Sequence, residues 1–358
     1  MRLEYVDHRQ DPGAWAKQLG ISREAVDLYL ASEVIDLHLD SYIWTRVFGY
    51  DLRERHDEGL FGARFYSQVD FPRILESQMS GGTWVITTNP ARAASERATV
   101  FHDNLSNLLG IFESVSEQFA VVRSVSEYRA ARARKKHAAF LAVQGGNAFD
   151  ASPDVLDRVP HLAILRVTLV HLSSSSFGAT SSPLRTGKDE GLTPSGREMV
   201  RRLESKKIFC DLAHVSKKGF WDAVEEHDQS MPLLVTHTGV SGAFEHWRNL
   251  DDDQLRAVAD SGGTVGIMYQ SSFLGDPYLG GSAARVVDHI EHVIKTVGED
   301  HVSLGSDWDG AILPPRDLRS PLELPRLVDI MLSRGLSTDA VQKVLGQSFL
   351  RVVAAVRG

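Results

Sequence analysis

The stretch IDLHLDSYIW, residues 35–44, carries His38 and Asp40 two positions apart inside an apolar run. In a strand, residues i and i+2 project to the same side, so an imidazole and a carboxylate converge on one point. Such a pair can hold a metal ion; equally, one member can face solvent at a strand end or cap the next turn. Other apolar runs also close on polar residues: Gln144 in LAVQGG, His171 in LRVTLVH, His214 in DLAHVS, His237 in VTHT and Asp307 in GSDWDG. A hydrolytic metal site needs several neutral imidazoles or carboxylates around one or two ions, with a position open for water. His38, Asp40, His214 and His237 supply such a set from three strand ends.

The elements that must position these residues can be read from short apolar, β-branched runs bounded by turn signals. Eight stand out: 34–40, 83–89, 138–146, 162–171, 207–216, 232–238, 263–269 and 302–310. Most are followed, directly or after a loop, by a segment of helical period. TPSGREMVRRLESKK, for instance, offers Thr193 as an N-cap and Pro194 at the first helical position. Eight βα units in a row predict an α/β protein, a (β/α)8 TIM barrel. All seven polar residues fall at the C-terminal ends of the runs, where barrel enzymes build their active sites. An open doubly wound sheet ranks second, because no GxGxxG follows the first run. DPGAW gives a helix start at Asp11 and Pro12, so residues 1–32 are expected to form an N-terminal helical extension on a barrel spanning 33–358. The Ser- and Gly-rich stretch 172–191 reads as a lid over the site or as a plain surface loop.

Composition narrows the function. Of 358 residues, 42% are hydrophobic and 24% charged, ordinary for a globular protein with a large core. The net charge of −8 and the short basic clusters, such as RARKK at 132–136, leave no footprint for nucleic acid. No stretch offers the roughly 18 uninterrupted apolar residues of a membrane span, and the N-terminus has no apolar signal region. The one cysteine, Cys210, can form no internal disulfide and lies in an apolar segment, which suits burial and a reducing compartment. The expectation is a cytoplasmic protein with no membrane partner. Serines in SSSSF lack a GxSxG elbow, which argues against a serine nucleophile.

Taken in order, IDLHLD, GLTPSGREMVRRLE, DLAHVS, VTHTGVSGAFEHWRNLDD and GSDWDG resemble the membrane (renal) dipeptidase family of zinc metallopeptidases, from about residue 33 to LGQSFLRVV near the C-terminus. The resemblance implies a metal-dependent (β/α)8 barrel of the amidohydrolase type that cleaves dipeptides and commonly forms homodimers. It makes His38 and Asp40 ligands of one zinc, and His214 and His237 ligands of a second. It assigns His171 to polarising the substrate carbonyl and stabilising the oxyanion, Arg248 to gripping the substrate carboxylate, and Asp307 to the substrate amine and leaving group. Each role suits its chemistry.

One position departs. Where the family carries a glutamate bridging the two zincs, in a segment ending EGGH, this chain reads VQGGNAF, with Gln144 in place of the glutamate and Asn147 in place of the histidine. A neutral amide oxygen is a poorer ligand and compensates none of the repulsion between two dications. The expectation is therefore one tightly held zinc ion. Two functions follow. One is a metal-dependent hydrolase cleaving a dipeptide or related small amide with a metal-activated water. The other is an altered family member that acts on another amide or ester, or binds a small carboxylated ligand.

Overall fold

A computed structural model describes residues 1–59, 62–89, 91–150, 153–183, 190–276 and 280–358. Nine parallel strands form among them: β1 (Ile35–Leu39), β2 (Gly81–Thr87), β3 (Phe119–Val121), β4 (His137–Gln144), β5 (Arg166–Thr168), β6 (Phe209–Asp211), β7 (Leu234–Thr238), β8 (Thr264–Ile267) and β9 (Val302–Leu304). They pair in the order β2-β1-β9-β8-β7-β6-β5-β4, and β2 pairs back onto β4, which closes an eight-stranded barrel. The fold is the expected (β/α)8 barrel.

The ninth strand is the departure from the eight-run reading. β3 pairs only with the first residues of β4, from Phe119 opposite His137 to Val121 opposite Ala139. β5 joins the same edge of β4 further on, from Ala142. Three residues of FAV fill the part of that edge which β5 leaves bare, and so short a run carries little periodicity to read.

Burial on both faces explains why the strands are nearly continuous apolar runs: every residue of β1, β2, β4 and β7 is buried, with helices outside and the barrel interior within. Closure is tight around β7. A Cβ on Gly305 would fall 1.8 Å from the Thr236 carbonyl oxygen, and one on Gly266 2.0 Å from the same atom. Only glycine lets β8 and β9 approach the strand that carries His237.

Helix starts follow the caps read from the sequence. Asp11 accepts from the Ala14 N–H at the head of Pro12–Leu19, and Thr193 accepts from the Gly196 N–H at the head of Pro194–Ser205. A second N-terminal helix, Arg23–Leu30, packs against helix Pro325–Ser333, and the Tyr29 hydroxyl donates to the Ser77 carbonyl at 2.7 Å. Of the stretch read as a lid, residues 184–189 lie outside the described residues. The preceding segment is tied down: Ser181 N–H donates to the His214 carbonyl at 2.7 Å, Thr180 bridges to Val215, and Phe177 and Thr180 are buried. No helix among the described residues is long and apolar enough to cross a membrane.

Candidate metal centre

His38, Gln144 and His237 occupy the last two residues of β1, β4 and β7, while Asp40, His171, His214 and Asp307 lie one to three residues past their strands. Parallel register brings them to one end of the barrel. Pairing of β2 with β4 sets Thr87 opposite Gln144, and the Thr87 hydroxyl donates to Asp40 Oδ1. His214 and Asp307 hold left-handed backbone, φ 67° and 62°. That conformation is uncommon for non-glycine residues and clusters at functional sites.

The donor atoms are close. One nitrogen from each of His38 and His237 and one oxygen from Asp307 lie within 4.8 Å of one another, all three residues buried. His38 Nε2 is 3.4 Å from Asp40 Oδ2 and 3.6 Å from Asp307 Oδ1, and His214 Nε2 is 2.7 Å from His237 Nε2. Asp307 is thus near enough to ligate, a role outside the one its sequence position implies. His171 stands apart at the rim, half-buried, its ring edge-on to His214 at 4.7 Å.

A polar layer beneath sets ring orientations. Asp211 accepts from the Thr236 hydroxyl at 2.6 Å and pairs with the fully buried Arg166 at 2.9 Å. With its single proton given to Asp211, the Thr236 oxygen can only accept from His237 Nδ1, 3.0 Å away. His237 Nε2 therefore presents a lone pair to the site. Arg166 Nη2 lies 2.8 Å from His38 Nδ1; a guanidinium only donates, so Nε2 carries the ring proton and donates to Gln144 Oε1 at 2.9 Å. This orients the amide. Its NH2 group points at His214 Nε2, 3.0 Å away, so His214 and His237 face each other with two unprotonated nitrogens. Two lone pairs at that separation suit a shared cation, and the N/O donor set is one a divalent ion accepts. The residues therefore fit a metal, with His237 common to both groups of donors.

Burial tunes the charges. It lowers the pKa of His38, and drives those of His214 and His237 well below the ordinary histidine value, leaving the neutral form that ligates metal. His171 is lowered to about 4, chiefly by burial. Burial also pushes Asp307 well above the usual carboxylate range, with the Asp40 charge adding to it. Burial works against the Asp40 carboxylate too, but His38 and the Thr87 hydroxyl outweigh it and hold Asp40 below its ordinary value. Arg248, 4% exposed, donates from Nη2 to the His237 carbonyl at 2.7 Å. Its Nε is buried with no hydrogen-bond partner among the described residues. It faces a cavity of about 500 Å³ that His246 and Trp247 also line.

Thr87, Arg166, Asp211 and Thr236 were not singled out from the sequence. Asp36 could have been, because the i, i+2 rule that pairs His38 with Asp40 places it on the same face. Its carboxylate accepts from the backbone N–H groups of His38 at 2.8 Å and Ser306 at 3.1 Å, tying β1 to the loop that bears Asp307.

A closed parallel barrel with buried imidazoles and carboxylates converging at its C-terminal end defines a metal-dependent hydrolase. More narrowly, residues 22–358 match the membrane dipeptidase family (peptidase family M19), and the chain belongs to that family. Dipeptidase tcpJ of Claviceps purpurea is 27% identical over 300 residues, 80% of this chain and 69% of that protein. A crystal structure described as the dipeptidase AC, a metallopeptidase of family M19, superposes with a TM-score of 0.81 at 26% identity, covering 91% of this chain and 99% of the other. A metallopeptidase from Rhodobacter sphaeroides, solved with a phosphinate mimic of the dipeptide L-Ala-D-Ala, gives 0.80 at 25% identity, with the same coverage. The protein is a metal-dependent hydrolase of the dipeptidase type.

Proposed function

We propose that the protein hydrolyses dipeptides bearing a free C-terminal carboxylate, with one tightly held zinc ion centred on His237. The observation that carries the substrate reading is Arg248, a buried guanidinium that lines a cavity, is tied to the donor cluster through the His237 carbonyl, and has an Nε with no partner among the described residues. A substrate carboxylate supplies the missing acceptor in a charge-assisted bond. The count of one ion rests on Gln144: its NH2 group points where a carboxylate would offer a second oxygen.

Asp40, His214 and His237 would hold the ion, and His38 would join them through Nε2 only by giving up the ring proton it directs at Gln144 Oε1. Gln144 Oε1 would be a neutral fifth donor. When bound, a divalent ion supplies Lewis acidity toward the carbonyl and toward water. His171, neutral at physiological pH, donates to the developing oxyanion. Arg248 anchors the carboxylate and so fixes which carbonyl reaches His171. Asp307 carries a proton to the departing nitrogen. We also read residues 1–32 as a helical extension on the barrel of 33–358, the protein as cytoplasmic from its lone buried cysteine, and its assembly as a homodimer after the family.

The test is elemental analysis of protein purified without chelator, paired with a screen of dipeptides that includes L-Ala-D-Ala. About one zinc per chain and turnover of at least one dipeptide are expected. Metal-loaded protein that cleaves none, yet cleaves N-acyl amino acids or esters, would favour the altered-substrate reading instead.

A further inference from the structure

We propose that a second cavity, beside Thr87 and His171, receives the substrate residue on the acyl side of the scissile bond, and that Arg46 selects an acidic side chain there. The proposal rests on the dipeptidase reading and names its substrate class. The cavity measures about 1000 Å³, and its walls come from Tyr42, Ile43 and residues 45–47, Arg53, Thr87–Asn89, Arg92, one side of helix Ala94–Ser114 that includes Asn104 and Asn107, and His171 with Leu172.

Topology fixes which part of the substrate it meets. Around the closed barrel, β2 and β7 are separated by four steps in either direction, through β4, β5 and β6 or through β1, β9 and β8. They stand opposite each other across the metal donors. Arg248, which follows β7, faces its cavity on one side; Thr87, the last residue of β2, lines the larger cavity on the other. A dipeptide with its carboxylate at Arg248 and its carbonyl at His171 must extend its N-terminal residue toward β2.

The chemistry of that cavity is cationic in a chain of net charge −8. Three arginines and no aspartate or glutamate are among its lining residues. Two of the three are already matched: Arg53 forks onto Asp51 at 2.7 and 2.8 Å, and Arg92 lies 3.6 Å from Glu96. Arg46 has no carboxylate partner among the described residues. Its Nη2 donates to the Thr87 carbonyl at 2.6 Å, its guanidinium sits 5.6 Å from the Tyr42 ring centre, and its Nε is buried without an acceptor. Burial of that kind disfavours a charge and lowers the Arg46 pKa, with the Asp40 carboxylate opposing it without a direct ion pair. A carboxylate brought by the substrate provides a contacting counter-charge and the missing acceptor.

The experiment compares Glu-Ala with Gln-Ala, a pair matched in shape and differing in charge, with Lys-Ala as the reverse and both configurations of the alanine. Values of kcat/KM are measured on the metal-loaded full chain, and binding of the same peptides is measured by calorimetry. Glu-Ala should be preferred over Gln-Ala by about 10-fold or more, the scale of a hydrogen bond to a charged group. Arg46→Met should bring that ratio to about one, Arg46→Lys should keep part of it, and Arg46→Glu should turn the preference toward Lys-Ala. If no dipeptide is turned over, the dipeptidase reading fails, while the calorimetric Glu-to-Gln ratio still decides the role of Arg46. Equal values for Glu-Ala and Gln-Ala in the parent, or a ratio untouched by Arg46→Met, would overturn the proposal.

Discussion

Replacing Gln144 by glutamate changes one group at the centre of the donor cluster without changing its size. The amide joins His38 Nε2 on one side, at 2.9 Å, to His214 Nε2 on the other, at 3.0 Å, so a carboxylate there presents one oxygen to each half of the site. Unit charges about 4 Å apart attract by about 4 kcal/mol at an effective dielectric of about 20, and more for a dication. Desolvating the carboxylate at a position only 1% exposed takes back several kcal/mol. A net gain of about 3–4 kcal/mol tightens metal binding by roughly 10²–10³-fold. With metal chelated, the same carboxylate is crowded by Asp40 and Asp307, and the variant should melt below the chelated parent. Zinc should then raise the melting temperature more in Gln144→Glu than in the parent, and elemental analysis after dialysis should find a second ion per chain. An unchanged zinc content together with an unchanged zinc-induced shift would refute the reasoning, as would a parent that already retains two zincs.

Asp307→Asn should lower turnover about 10²-fold or more with metal content intact, the scale of positioned acid–base catalysis; loss of zinc in that variant would instead make Asp307 a ligand, as its place near His38 and His237 allows. Arg248→Ala should chiefly raise KM, since it removes a contact made both before and during the reaction; a fall in kcat with KM unchanged would contradict an anchoring role. Gly305→Ala should cost about 3 kcal/mol or more in denaturant unfolding, because its Cβ meets the Thr236 carbonyl at 1.8 Å; a neutral variant would disprove the tight closure around β7. His137, buried at the first residue of β4, has its pKa lowered to about 3 by burial. It stays neutral in the folded state while the unfolded chain takes up a proton below about pH 6.5. Stability present above pH 6.5 is therefore lost as pH falls toward 3, by up to about 2 kcal/mol between pH 7 and 5. Denaturation midpoints of the parent and His137→Gln at those two pH values should show a shallower slope in the variant, and identical slopes would remove His137 as the cause.

The barrel and the set of polar residues at its mouth were legible in the sequence because both are one-dimensional patterns. Buried parallel strands read as short apolar runs, helices announce themselves with caps such as Asp11 and Thr193, and i, i+2 spacing puts His38 beside Asp40 whatever surrounds them. Gln144 was marked by its place at the end of an apolar run, and its missing charge by the resemblance to a family that carries glutamate there. Tertiary structure decided what those residues face. Arg166 and Asp211 come from two adjacent strands and meet His38 and Thr236 from two others, so nothing in any single segment marks their role in setting ring protons. The same holds for the direction of the Gln144 amide, for the left-handed backbone of His214 and Asp307, and for the two cavities on opposite sides of the site. Spacing along a chain controls only neighbours in the chain; barrel closure brings residues hundreds of positions apart within hydrogen-bond reach, and the hydrogen-bond demands of buried polar groups then select their orientation.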